Sequence, residues 1–198
     1  MRQVLRAAAC TATLALTLSG CATVRQVSAL RQVDFAIDRV AGVRLAGVNL
    51  DRVRGYNDLG PLDAGRLAAA VARGQVPLEF ALHLAALNPP ANRVTARMLR
   101  MRWTLDLNGR ETVSGLIDTT YTFPPGEPQD VAIPVRLDLW RFFDTSARDA
   151  LDLALGLLGL GGRPTEIVVR AVPVIDTPLG AIRYPSAITI VRRTVGGP

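Results

Sequence analysis

The sequence predicts a mainly β protein, an antiparallel sandwich of short strands with one or two short helical insertions. Three observations predict it. Apolar residues recur at alternate positions through most of the chain after Val33, the spacing of strands with one buried face. Turn-forming residues separate these rows at short intervals, which favours antiparallel neighbours over the long crossovers of a parallel sheet. Only two segments show helical spacing.

Taken in order, Phe35 and Ile37 alternate with Asp34, Ala36 and Asp38, and Val43 and Leu45 alternate with Arg44 and Ala46. These read as two short half-buried strands. After Gly47 the apolar positions move to Val48 and Leu50, so a bulge is expected at the glycine. From Asp63 to Gly74, Leu67 and Val71 stand four apart among alanines, with Asp63 placed to cap the free amides and Gly74 to close the end of a short helix. Leu78, Phe80, Leu82 and Leu84 then alternate with Glu79, Ala81 and His83, and Met101, Trp103, Leu105 and Leu107 form a second such row. Asn108-Gly109 follows, a dipeptide that accepts the positive φ angles of a type I′ turn, so Glu111 to Ile117 should fold back on the preceding strand. Val131 to Leu139 make another inward row, in which Pro134 lacks a ladder donor and marks a sheet edge. A second helix is expected from Asp144 to Leu160, with Asp144, Thr145 or Ser146 as caps and Leu151, Ala154, Leu155 and Leu158 on one stripe. Leu153, Leu157 and Leu160 widen that stripe, leaving open both a core helix and a lipid- or partner-facing one. Strands over Glu166 to Val174 and Ala187 to Arg192 close the chain.

The first residues follow different rules. Arg2 and Arg6 precede an apolar run from Ala7 to Leu18, which is shorter than the ~20 residues that span a bilayer and ends in small residues, as an export signal does. Leu18-Ser19-Gly20-Cys21 resembles the lipobox of bacterial lipoproteins. The resemblance implies that residues 1–20 are a signal peptide, that Cys21 is alkylated with a diacylglyceryl group, that residues 21–32 form a lipidated tether, and that residues 33–195 form the domain. Two or three acyl chains, at ~0.8 kcal/mol per buried methylene, hold a protein firmly on its membrane. Ala22, where an Asp would favour inner-membrane retention, points by the same resemblance to the outer membrane, facing the periplasm.

Charge and cysteine content narrow the function. All 23 basic residues are arginine, and loss of Arg2 and Arg6 leaves 21 against 17 acidic residues, a net +4 in place of +6. That excess lacks the clustered run of a nucleic-acid arm. Cys10 leaves with the signal and Cys21 is capped, so no disulfide or thiolate metal site is expected in the domain.

The segment from Leu82 to Ile117, LHLAALNPPANRVTARMLRMRWTLDLNGRETVSGLI, carries a family pattern. An apolar strand ends in Asn88-Pro89, an alternating strand reaches Asn108-Gly109, and the return strand holds Gly115. This resembles the late-embryogenesis-abundant type 2 family, also called the water-stress and hypersensitive-response domain, and the later Val131 to Leu139 row and the Thr177-Pro178-Leu179-Gly180 turn extend the likeness over about Phe35 to Arg192. The sequence departs at Pro90, where the family has Asn; Asn92, two residues on, can cap the turn instead. The resemblance implies a fibronectin-III-like β-sandwich with a helical insertion, an association with desiccation and stress tolerance, and no defining enzymatic activity.

The chemistry-bearing residues point the same way. His83, the one histidine, sits on the polar side of an alternating strand, and neither Ser114 nor Ser186 has a nucleophile-elbow setting. Without lysine there is no Schiff base, and one histidine without a free thiol cannot fill a zinc shell. Asp149 and Asp152 can share a helix face, where early-turn acids complement the helix dipole. Arg93, Arg97, Arg100 and Arg102 form a basic stripe that fits either a solvated sheet face or anionic headgroups. The preferred reading is therefore a non-catalytic, cofactor-free and metal-free envelope lipoprotein, a stress-protective or partner-binding module held on the membrane through Cys21. Its partner would be a lipid or an envelope protein, and not a nucleic acid. The alternative is a lipid-binding or lipid-transfer module. A carrier needs a connected apolar cavity of several hundred Å³ open to solvent, whereas a packed sandwich leaves few voids larger than a water molecule.

Overall fold

Two antiparallel sheets face each other across one apolar core, as the alternating rows require. The computed structural model describes residues 25, 27–141, 147–160, 164–177 and 179–195. Sheet 1 has the order β2-β1-β3-β7, formed by Val48–Asn49, Asp34–Leu45, Pro77–Leu87 and Pro128–Asp138. Sheet 2 has the order β10-β8-β4-β5, formed by Ile188–Val195, Thr165–Thr177, Ala96–Leu107 and Arg110–Ile117, with β6 (Tyr121–Phe123) on β4 and β9 (Gly180–Arg183) on β8. The expected inward rows are the buried ones: Leu78, Leu82 and Leu84 on β3, Met101 and Leu105 on β4, and Val131 and Ile133 on β7 are all 1% exposed or less. β7 is an edge strand, and Pro134 stands on it opposite Ala81.

The Asn108-Gly109 turn joins β4 to β5 with φ angles of 50° and 76°, the left-handed pair that a type I′ turn needs. Asn108 also ties the hairpin to β8: its N–H donates to Glu166 O at 2.9 Å and its Oδ1 accepts from Glu166 N at 3.0 Å. On the return strand Gly115 lies opposite Trp103, where a β-carbon would stand 2.5 Å from the indole Cζ2. The indole lies over the space that a side chain would fill.

Three local expectations are corrected. The two first strands are one, β1, with register shifts near Asp38 and Gly42, and Gly47 is no bulge: Ala46 and Gly47, at φ 49° and 80°, make the two-residue turn that folds β2 back on β1. Helix α2, Pro61–Ala72, starts at Gly60 with Pro61 in the first turn, where its missing N–H costs nothing. Asp63 therefore lies inside the helix and pairs with Arg66 at 3.0 Å, while Gly74, at φ 63°, closes the end as expected. Finally, residues 27–31 of the presumed tether are helical (α1), and Ala29 and Leu30 are buried in the core.

Helix α3, Ala147–Leu157, packs against β1, β8 and α2. Leu151, Ala154, Leu155 and Leu157 are 4% exposed or less, and Leu153 packs against the same cluster. The leucine-rich helix is thus core rather than an interaction face. The caps expected at Asp144, Thr145 and Ser146 lie outside the described residues.

Candidate functional site

Strand register divides the sandwich into two poles. β1 starts, β3 ends and β7 starts together, since Asp34 pairs with Leu87 and Leu87 with Pro128. β4 starts and β8 ends at this same pole, where Met98 pairs with Ile175. Helices α2 and α3 and the Asn108-Gly109 turn occupy the other. The chain enters at the first pole through α1. Cys21 lies outside the described residues.

Asn88 and Asn92 organise the entry pole. Asn88 has no exposed surface; its Nδ2 donates to Val94 O at 3.0 Å and to Phe123 O at 2.7 Å. Asn92 Nδ2 donates to Asn88 Oδ1 at 2.7 Å and to Ala29 O at 3.0 Å. The chain needs these side chains because Pro89 and Pro90 supply no backbone donors. Asn92 N–H closes the turn on Pro89 O at 2.9 Å, so Asn92 performs the capping that Pro90 cannot. Asn88-Pro89 and Asn108-Gly109 thus hold the two ends of β4 in place, and neither lines the cleft beside α1.

A cleft opens beside α1. β1 and β10 form one flank of the sandwich, closed at Ile37 by a hydrogen bond from Arg193 Nη1 to its carbonyl at 3.1 Å. β10 begins only at Ile188, opposite Ala171 of β8, and beside this start of the strand lies a cavity of about 570 Å³. Val33 and Phe35 form one wall, Ile188 and Ile190 the other, and Met98 and Met101 the floor. Leu30 and Tyr184 lie over its end, with Arg31, Asp34 and Thr189 as its polar members. The Tyr184 hydroxyl donates to Val27 O at 3.1 Å, and the Arg31 guanidinium lies 5.9 Å from the Tyr184 ring centroid. Burial pushes the Tyr184 phenol up against the opposing influence of Arg31, so it keeps the proton that it donates. The lining comes from separate segments, and only the apolar alternation of Ile188 and Ile190 could have hinted at it.

His83 lies far from the cleft, on the outer face of sheet 1. Its Nδ1 stands 2.8 and 2.9 Å from the two Asp130 oxygens, and Arg39 Nη2 lies 2.9 Å from Asp130. Desolvation pushes the Asp130 carboxyl up, but the hydrogen bonds and charges of His83 and Arg39 outweigh it and hold the carboxyl below its ordinary value. Sequence reasoning missed both partners, which come from neighbouring strands. Ser114 belongs to sheet 2 and Ser186 to the β9–β10 connection, so neither joins His83.

The arginine stripe is partly neutralised: Arg97 pairs with Asp176 at 3.3 Å and Arg100 with Asp118 at 3.9 Å, while Arg93 is exposed with no carboxylate partner among the described residues. Arg170 Nη2 pairs at 2.6 Å with the buried carboxylate of Asp106. Asp149 and Asp152 are half-buried on α3. Among the described residues no three His, Cys, Asp or Glu side chains are grouped to hold a metal ion, and no helix is long and apolar enough to cross a membrane.

No protein-family model matches the chain, and no curated protein sequence does. Among solved structures, a protein from Archaeoglobus fulgidus is similar at 15% identity and a TM-score of 0.35, over 62% of this chain and 86% of that one. The solution structure of a protein named as late embryogenesis abundant is similar at 12% identity and a TM-score of 0.39, over 98% of this chain and 89% of that one. At these scores neither likeness assigns a family or a function.

Proposed function

We propose that the chain is a non-catalytic envelope lipoprotein whose sandwich, held at the membrane surface through Cys21, binds an acyl chain or a similar apolar ligand in the cleft between β1 and β10. The observation that carries this reading is the cleft itself. Its volume of about 570 Å³ falls within the roughly 300–1,000 Å³ of small-molecule sites, and apolar residues outnumber polar ones in its lining, while polar atoms make up the larger part of its exposed surface. Arg31 at one end supplies a cation for an anionic headgroup. The Leu18-Ser19-Gly20-Cys21 lipobox supports the anchor, and the place of His83 in a surface charge cluster with Asp130 and Arg39 supports a binding role over a catalytic one.

Native mass spectrometry of the chain carrying Cys21→Ala tests the cleft. Copurified phospholipid or fatty acid, lost on Met101→Trp, which fills the floor, is the expected result. Repeated purification without lipid would leave the protective or partner-binding module as the better reading. Incorporation of labelled fatty acid into wild type but not into Cys21→Ala checks the anchor.

A further inference from the structure

Leu179, Leu87, Arg25 and Arg93, at the entry pole, belong neither to the buried core nor to the lining of the cleft. Leu179, at the tip of the β8–β9 hairpin, is 63% exposed, and Leu87, at the end of β3, is 40% exposed. Apolar side chains at loop tips and strand ends are where a sandwich gains nothing from burial within itself. The 88–95 loop between them presents Pro90, Ala91 and Arg93 to solvent. Arg25 and Arg31 on the entering chain are exposed as well; Asp34 and Glu127 are the exposed acids there without an ion pair among the described residues.

The length of chain between Cys21 and Val27 says what this pole meets. Cys21 precedes Val27 by six residues, which reach at most about 21 Å when fully extended. Val27 is itself fixed to the pole by the Tyr184 hydroxyl, and Ala29 by Asn92. An acylated Cys21 therefore holds this pole within a short distance of the bilayer. The opposite pole, at the far end of the 12 residues of β4, is about 36 Å further away at ~3.3 Å per residue.

We propose that the entry pole is a membrane-docking surface: Leu179 and Leu87 enter the interfacial region of an anionic bilayer, Arg25 and Arg93 meet its phosphates, and the helical pole points away from it. Leucine side chains at the acyl boundary and arginines at headgroup level are the arrangement that an interfacial protein uses. The cleft would then open beside the lipids. The inference rests on the anchor at Cys21 but not on a ligand in the cleft.

The test uses the full chain, isolated from membranes and reconstituted into vesicles of phosphatidylethanolamine and phosphatidylglycerol. With Cys21 acylated, an introduced cysteine is the one thiol of the mature protein, so Leu179→Cys, Ala91→Cys and Glu111→Cys can each carry a single polarity-sensitive dye. Emission from the dye at positions 179 and 91 should rise several-fold and shift to the blue in vesicles, while that at position 111, on the far pole, stays as in water. Equal emission at all three sites, or a rise at position 111 alone, overturns the proposal. Two sites at the docking pole guard against misfolding of one variant. Labelled fatty acid on Cys21 together with equal emission would refute the docking and keep the anchor; without label, the anchor and the docking that rests on it both fail.

Discussion

Replacing Asn88 by Ala removes two donors and one acceptor from a position with no exposed surface. The carbonyls of Val94 and Phe123 and one N–H of Asn92 lose their partners together. At a net ~1 kcal/mol for each hydrogen bond, the substitution should cost about 3 kcal/mol, and more if water cannot enter to satisfy the groups left behind. That is a large part of the roughly 5–15 kcal/mol by which a domain is stable. Asn88→Asp keeps the shape but turns an acceptor oxygen towards both carbonyls and buries a charge, so it should cost at least as much. Urea unfolding followed by the fluorescence of Trp103 and Trp140 measures both. Asn57→Ala, exposed in the turn before α2, serves as the control and should stay within about 0.5 kcal/mol of wild type. A midpoint for Asn88→Ala equal to wild type, at unchanged m, would refute the reasoning, because it would mean that the three bonds contribute nothing.

Gly115→Ala should destabilise by about 1–3 kcal/mol and shift Trp103 emission to the red, since the new methyl group meets the indole at 2.5 Å and must displace it. Leu157→Ser, at a site 2% exposed, should lower the thermal midpoint sharply without changing vesicle binding, and an unchanged midpoint would contradict its place in the core. Arg170→Ala leaves the Asp106 carboxylate buried without its cation and should cost about 2 kcal/mol, less than the ~3–5 kcal/mol of a fully buried pair because Arg170 is half exposed. The Asp130 carboxyl, held below its ordinary value in the folded protein, contributes stability that is complete above about pH 5 and lost as the pH falls through its folded value. Asp130→Asn should therefore flatten the acid limb of a stability–pH profile, and an identical limb in both proteins would show that the cluster with His83 and Arg39 does not matter there.

Period-two alternation revealed most strands because each buries one face, and Pro134 and Asn108-Gly109 were legible because each imposes a backbone constraint that no other part of the fold alters. Short pieces were not legible. β2, β6 and β9 hold two, three and four residues, too few for a period. Ala46 accepts a positive φ against its own preference, so the β1–β2 turn carried no residue signal beyond Gly47. α1 looked like a tether because its few buried residues, such as Ala29 and Leu30, show no repeat. Asn88 could be read as structurally important from its prolines, but its partners at Val94, Phe123 and Asn92 depend on how three chain segments meet. The cleft was beyond reach for the same reason, since alternation tells which residues face inward and not where a strand begins against its neighbours.

The amide chain from Ala29 through Asn92 and Asn88 to Val94 and Phe123 has a mechanical consequence. A pull on the segment before α1 enters the protein at α1 and would load β1, which follows, against β3 if β1 took the force alone. The asparagine pair diverts that tension sideways, from the Ala29 carbonyl into the connection between β3 and β4 and across to β6. Both sheets then share the load, so tension on the entering segment is not borne by β1 alone.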